Sequence, residues 1–354
     1  MRVAIIGAGL SGLSCAFELN KYDIIPTIFE QSSHIGDDLC TACINLRLFD
    51  RWFSDPFKKL SELYGLNLKP ISSIRSIEIK APTKSLNVRG NHGYIMKRGI
   101  DPDSIENQLA ALIEAQVQCG KAVNFNETRN DFDYVVVATG NNTMAKELGV
   151  WVNTFTAQAR YATVDGDFKT DKAIVWFNTK YAKSGFCYLI PKTSKQAVIV
   201  LIVNGINRSE LDYYWKEFII TEKIEYPILE SKDTEHSCGF LKQYHVGNVY
   251  FVGNTAGLTD DFIGIGAVNA IESGIFAARS IVKRLNYKRQ LKPINDNVRK
   301  LHEYRIAINS LNNTNLDTVL SIIDVPGLKQ LVYNNPLFRF SHASPFIKVY
   351  NKLK

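Results

Sequence analysis

Val3-Ala4-Ile5-Ile6-Gly7-Ala8-Gly9-Leu10-Ser11-Gly12 decides the fold. Val3 to Ile6 is short and wholly apolar, as suits a strand at the centre of a parallel sheet. Behind Gly12, the residues Leu13, Ala16, Phe17 and Leu19 recur at helical spacing. A G-x-G-x-x-G between a strand and a helix is the setting in which a dinucleotide pyrophosphate is held. Gly7 makes the tight turn, Gly9 lets the pyrophosphate approach the backbone, and Gly12 lets helix and strand pack closely. Ala8, Leu10 and Ser11 belong to the same cradle, and the amides opening the helix take the phosphate charge.

The second strand, Thr27-Ile28-Phe29, ends at Glu30, which lies 18 residues beyond Gly12. That is close to the ~20 expected for the acid that accepts bonds from a ribose diol. Glu30, followed by Gln31, is therefore a candidate cofactor contact. Arg2, the apolar stretch and the small residues after it superficially match a secretory leader. The internal glycines fit a strand, turn and helix better, so a cytoplasmic protein with reduced thiols is expected.

The chain has 354 residues, 45% hydrophobic and 22% charged. This is globular composition and too apolar for disorder. The length suits two domains or one domain with an insertion. The longest apolar run is Ala197 to Val203, a buried strand's length and too short to span a membrane. From Arg279 to Lys354 there are 14 Lys/Arg against 4 Asp/Glu, and no acid follows Asp324. No nucleic-acid motif accompanies this charge, so no nucleic-acid partner is expected. Leu328, Leu331, Val332, Phe346, Ile347 and Tyr350 stand among the basic residues. A peripheral membrane contact and packing against the rest of the chain are both open readings of that segment.

Two later stretches repeat the strand-and-turn pattern. Asp133 to Val137 runs into Ala138-Thr139-Gly140. Gly247 to Val252 runs into Gly253-Asn254, followed by Gly264-Ile265-Gly266-Ala267 and a helical pattern. With the opening motif, these segments resemble FAD-dependent oxidoreductases of the p-hydroxybenzoate-hydroxylase-like superfamily. The resemblance implies an α/β architecture: a discontinuous Rossmann-like FAD-binding domain, an inserted antiparallel β-sheet substrate domain and a C-terminal helical tail. It implies FAD as cofactor. Where that superfamily carries an acid for the ribityl chain, this chain has Asn254, whose amide can still bond a hydroxyl. The helix after Gly264 and Gly266 would stabilise negative charge on the reduced flavin ring. The resemblance also implies cofactor contacts for Arg98, after Tyr94-Ile95-Met96-Lys97, and for Val123, read as lying in a short strand.

Ile74, Ile77, Ile79, Leu86 and Val88 alternate about Ala81-Pro82-Thr83-Lys84, a hairpin signal. A helix is expected from Asp101 onward, with Pro102 in its first turn and Leu109, Leu112 and Ile113 on one face. Ser184 to Pro191 resembles the Tyr-x-Trp-x-Phe-Pro motif of the geranylgeranyl reductase family. Phe186, Tyr188 and Ile190 take the alternating places and Pro191 is retained. The family's later glycine pair is absent, with Ile199, Val200 and Leu201 there instead. The stretch also resembles the Trp-x-Trp-x-Ile-Pro motif of flavin-dependent halogenases. Alternation puts the three side chains on one strand face, where they can wall an apolar pocket. Cys40 resembles a cysteine that prenyl reductases place near the flavin. Cys40 and Cys43 also form a C-x-x-C pair open to a redox reading. Cys15, Cys119, Cys187 and Cys238 read as buried fillers, and the six histidines show no metal spacing.

The expected partition is an FAD-binding domain of residues 1–70, 94–150 and 236–290, a substrate domain of 71–93 and 151–235, and a basic helical segment 291–354. The function implied is reduction of an apolar, prenyl-like alkene by hydride transfer from reduced flavin. Monooxygenase or halogenase chemistry on the same scaffold, and a non-catalytic flavin-binding scaffold, remain alternatives. A single dinucleotide fingerprint means that the electron donor, NAD(P)H or a redox protein, binds transiently.

Overall fold

The structure is a computed structural model that describes residues 1–36, 41–48, 55–335, 338 and 340–353. The chain opens with β1 (Val3–Ile6), α1 (Leu10–Asn20), β2 (Thr27–Phe29), β3 (Ala42–Leu46) and α2 (Pro56–Tyr64). There follow β4 (Ser72–Lys80), β5 (Ser85–Lys97), α3 (Ile105–Ala110), β6 (Val117–Gln118), α4 (Phe125–Asp131) and β7 (Tyr134–Val137). Next come α5 (Thr143–Glu147), β8 (Trp151–Asp165), β9 (Lys172–Trp176), α6 (Thr179–Ala182), β10 (Phe186–Pro191), β11 (Gln196–Asn204) and α7 (Leu211–Glu222). The last elements are β12 (Ile228–Leu241), β13 (His245–Val246), β14 (Val249–Phe251), α8 (Ala267–Lys283), α9 (Tyr287–Asn309), α10 (Asn313–Ile323), α11 (Leu328–Tyr333) and α12 (Phe340–Leu353).

Two compact units result. The first holds Met1–Cys40, Arg98–Thr154 and Ser237–Arg299, and the second holds Thr41–Lys97, Phe155–His236 and Lys300–Lys354. Thr41–Lys97 falls wholly in the second unit because β3 pairs antiparallel with β5, Ala42 opposite Lys97.

The first unit is built on a six-stranded sheet ordered β13-β14-β7-β1-β2-β6. β1 is central and parallel to both β2 and β7. The chain leaves β1 toward β2 on one side and is met by β7 on the other, so the sheet reverses order beside β1, where α/β sheets bind ligands. Val3 to Ile6 and Val135 to Val137 are buried, as their unbroken apolar runs require. α1 packs along α8 with almost no space between their backbones. A Cβ on Gly274 would lie 2.1 Å from the Ser11 carbonyl oxygen. The Ser14 hydroxyl donates to the Ile271 carbonyl at 2.9 Å across the same crossing. Glu18 is buried beside it and is compensated by Arg279 Nε at 2.6 Å and Lys21 Nζ at 2.9 Å.

The second unit is built on an eight-stranded sheet ordered β12-β8-β11-β10-β9-β4-β5-β3. It is largely antiparallel, with β4 and β9 the parallel pair. The predicted hairpin is β4–β5, closed by Ala81 N–H donating to the Lys84 carbonyl at 2.8 Å. α7 lays Leu211, Trp215 and Phe218, an i, i+4, i+7 stripe, on Cys187, Leu189, Ile199 and Leu201. That contact covers one face of the sheet at β8 to β11.

The helix expected from Asp101 starts later and stops sooner. Ser104 caps α3, its hydroxyl accepting from Asn107 N–H at 3.2 Å, and the helix ends at Ala110. Pro102 therefore precedes the helix, and Leu112 follows it and is exposed.

Gly274→Val places branched carbons where the Ser11 backbone stands. It is expected to lower unfolding free energy by about 3 kcal/mol, read as a drop in denaturant midpoint with an unchanged slope.

Candidate functional site

The first unit gathers the opening turn, Glu30, the Ala138-Thr139-Gly140 turn and the Gly253-Asn254 turn at the C-terminal ends of its parallel strands β1, β2, β7 and β14. The main chain allows this only without side chains at two places. A Cβ on Gly7 would lie 2.4 Å from the Ala138 carbonyl oxygen, and one on Gly12 would lie 2.0 Å from the Gly7 carbonyl oxygen. At Gly9 nothing lies within 4 Å. That open space adjoins the start of α1, where Gly9 is the N-cap, no side chain caps the helix and no acid stands in its first turn. The first amides of α1 thus form an anion site with room beside it.

Glu30 is buried and held by two backbone donors. Ala8 N–H reaches Oε2 at 2.8 Å and Ser32 N–H reaches Oε1 at 2.9 Å. Each carboxylate oxygen keeps a lone pair for a hydroxyl. Glu30 N–H donates to the Gln118 carbonyl at 3.0 Å, and Lys121 N–H donates to the Glu30 carbonyl at 2.8 Å. Gln31 is exposed next to it. Val123 is not in a strand. The strand beside β2 is Val117–Gln118, and Val123 lies half-buried in the loop before α4. Two residues carry too little alternation to be read from sequence.

At the far side, Thr139 Oγ1 lies 3.4 Å from Thr255 Oγ1, joining two of the turns. Gly253 N–H donates to the Ser273 hydroxyl at 2.8 Å. The Asn254 side-chain oxygen accepts from the Thr259 hydroxyl, so the NH2 end of Asn254 is its remaining donor. Asp260 organises the approach to α8. It is buried, with Oδ1 accepting from Phe262 N–H at 3.0 Å and Ile263 N–H at 2.8 Å, and Oδ2 accepting from Ile265 N–H at 2.7 Å. Burial pushes its carboxyl up to about 6, outweighing the amide donors that pull it down. This loop sets Gly264-Ile265-Gly266-Ala267. α8 begins at Ala267 with Gly266 as N-cap, no side-chain cap and no acid in its first turn. Sequence reading missed Thr259 and Asp260. The signal was an acidic pair, Asp260-Asp261, just before a Gly-x-Gly helix start.

Arg98 is a quarter exposed and its Nε donates to buried Glu106 at the start of α3. The pair holds the guanidinium in place and offsets its charge.

FAD fits these groups. The gap at Gly9 beside a bare helix end suits a diphosphate, Glu30 suits a ribose diol, and the Asn254 amide suits a ribityl hydroxyl. The second bare helix end, of α8, suits a ring that becomes anionic on reduction.

The second unit holds the other candidates. Phe186, Tyr188 and Ile190 of β10 share one face, while Cys187 and Leu189 face the core under α7. Alternation gives Pro191 to the Cys187 side. The Phe186 ring centroid lies 6.0 Å from that of Phe177 and 6.1 Å from that of Tyr188. Tyr188 stands opposite Val200, which stands opposite Tyr161. Burial lifts the Tyr188 phenol well above its usual range, and the Tyr161 phenol and Cys43 thiol beside it add to this. Cys40 lies outside the described residues. Cys15 and Cys187 are buried, and burial raises both thiols. Cys119 is exposed rather than a core filler, because it sits in the turn just after β6.

Residues 5–43 match a family described as an NAD(P)-binding Rossmann-like domain. A digeranylgeranylglycerophospholipid reductase of Methanocella arvoryzae is 22% identical over 313 residues, spanning 79% of this chain and 76% of that protein. A geranylgeranyl bacteriochlorophyll reductase-like protein of Thermoplasma acidophilum has a TM-score of 0.74 at 16% identity, covering 100% of this chain and 99% of that one. The chain resembles the geranylgeranyl reductases. A flavin-dependent brominase shares the same fold more distantly, with a TM-score of 0.66, 14% identity and full coverage of both chains. The fold is that of the flavoprotein oxidoreductases, and the likeness runs over the whole chain.

Two outcomes are expected. Gly9→Glu keeps the parent's thermal midpoint, since its side chain enters open space, but binds FAD about a hundredfold more weakly through like-charge repulsion; paired melting and flavin titration check this. For Asp260, the folded state holds the proton more tightly than the unfolded chain does. Its contribution to stability therefore falls as pH rises from about 4 to about 6 and is flat above. Asp260→Asn should remove that slope in denaturation curves taken across the same range.

Proposed function

We propose that the reaction of this FAD-dependent oxidoreductase is saturation of a carbon–carbon double bond in an apolar, prenyl-like substrate. The observation that carries this reading is the β10 face. With its partners on β9 and β11 it aligns Val175, Phe186, Tyr188, Ile190, Val198, Val200 and Ile202, all buried or half-buried and none of them charged. A charged or strongly polar substrate would be desolvated there without compensation. A branched hydrocarbon chain gains about 25 cal/mol for each Å² it buries. The relatives named for geranylgeranyl groups, together with the alternation of Phe186, Tyr188 and Ile190 before the retained Pro191, support the same substrate class.

Bound and reduced, FAD supplies a hydride equivalent and the protein supplies position and a dry surface. The α1 amides and Glu30 hold the diphosphate and ribose. The Asn254 amide bonds the ribityl chain, with its oxygen fixed by Thr259. The positive end of α8, set by the Asp260 loop, favours negative charge on the ring. Tyr188 keeps its proton on Oη through the neutral range because burial disfavours the phenolate, so the strand face stays uncharged. Electrons come from a transient donor, NAD(P)H or a redox protein, since only one dinucleotide fingerprint is present.

The test is anaerobic reoxidation of the photoreduced protein by a geranylgeranyl lipid. The expected result is substrate-accelerated return of the oxidised flavin spectrum with gain of one H2 per double bond in the product mass. Phe186→Ala should lower kcat/KM for that lipid about tenfold with the flavin spectrum unchanged. Turnover only with oxygen, giving a hydroxylated or halogenated product, would overturn the proposal. So would reduced flavin that no alkene reoxidises.

A further inference from the structure

α12 carries its apolar stripe on the outside. His342, Pro345, Phe346, Val349 and Tyr350 are exposed and stand at i, i+3, i+4, i+7 and i+8, one side of a helix. Phe346 is 78% exposed, Val349 58% and Tyr350 41%. The other side of the helix is fastened down by polar groups. Asn351 Nδ2 donates to the Glu303 carbonyl at 2.9 Å and to its carboxylate at 3.2 Å, both on α9. Ser344 is buried on the same side. The orientation is thus fixed by specific bonds, and it leaves the larger apolar residues in water. The same unit also exposes Ile322, Val325 and Leu331 on and around α10 and α11. An exposed apolar stripe of this kind along one helix marks a docking face.

The charge around the stripe identifies the occupant. Lys352 of α12 stands beside the stripe and is exposed; Lys348, also exposed, lies on the same side, 3.8 Å from the Glu303 carboxylate, and no acidic residue follows Asp324 in the sequence. We propose that α12 docks this protein on an anionic lipid bilayer, lying in the interface with Phe346, Val349 and Tyr350 among the acyl chains and the lysines at the headgroups. This is the pattern of an interfacial helix: a short apolar stripe, aromatic residues on it and lysines beside it. A second copy of the chain would bring two lysine-flanked stripes together, and like charges would oppose that contact. No helix among the described residues is long and apolar enough to cross a membrane, so the attachment is peripheral. The inference rests on this face alone and stands whether or not the substrate is a prenyl lipid.

Flotation of the full-length FAD-loaded protein with two kinds of vesicle tests it, one of phosphatidylcholine and one of phosphatidylcholine with phosphatidylglycerol. The protein should float with the phosphatidylglycerol vesicles, and less so as salt is raised. The pair F346S and V349S should lower binding about tenfold or more, with the melting curve and flavin content of the parent. K348Q and K352Q should each lower it about fivefold and flatten the salt dependence. Failure to float at low salt would overturn the proposal, as would equal binding to both vesicle types. It would equally be overturned by a dimer in solution that F346S and V349S dissociate, or by vesicle binding that those substitutions leave intact.

Discussion

The position of α1 depends on backbone meeting backbone with no side chain between. Gly12 lies on the Gly7 carbonyl, Gly7 on the Ala138 carbonyl, and Gly274 on the Ser11 carbonyl. Each contact brings a different part of the chain against the same turn. Together they hold the first helix against β7 on one side and α8 on the other, so its N-terminus opens onto the one position, Gly9, where space remains. The Glu30 carboxylate is fixed by the same turn, through the Ala8 amide. The candidate cofactor site is therefore a by-product of how closely these segments approach.

The sequence was most legible where chemistry and periodicity are local. A four-residue apolar strand, three glycines and a helical repeat left little choice for residues 3–20. The strand ending at Glu30 and the Gly-x-Gly start of α8 were readable for the same reason. What was not legible depended on distant partners. β6 exists because β2 offers it an edge, not because Val117-Gln118 has any strand pattern of its own. α3 ends where tertiary packing stops rewarding it, which left Leu112 exposed despite its spacing. Asp260 could be recognised only once burial and three amide donors were seen, since an acid in a loop ordinarily signals solvent. Thr41–Lys97 joined the second unit through a strand pairing between residues about fifty positions apart.

The second unit distributes charge by face. The side of the sheet under α7 carries the half-buried Arg160, whose charge is met by Asp212 and Asp233. The side carrying Phe186, Tyr188 and Ile190 has no formal charge on β9, β10 or β11 at these levels. Tyr188 and Tyr161 share one row across β11, so their hydroxyls accompany an otherwise apolar surface. Such a face can select by exclusion: it offers a polar ligand nothing that compensates for lost water.

The crossing of α1 and α8 also bears on how the chain reaches its final form. Ser11 and Gly274, or Glu18 and Arg279, meet only after most of the polypeptide has been made. Until then the side of α1 that faces α8 is uncovered, and the Glu18 carboxylate has no guanidinium. Contacts of such long sequence separation carry a large loop-closure cost and slow the search. α1 is thus among the last of these helices to be locked, and its α8-facing side stays exposed until α8 has been made.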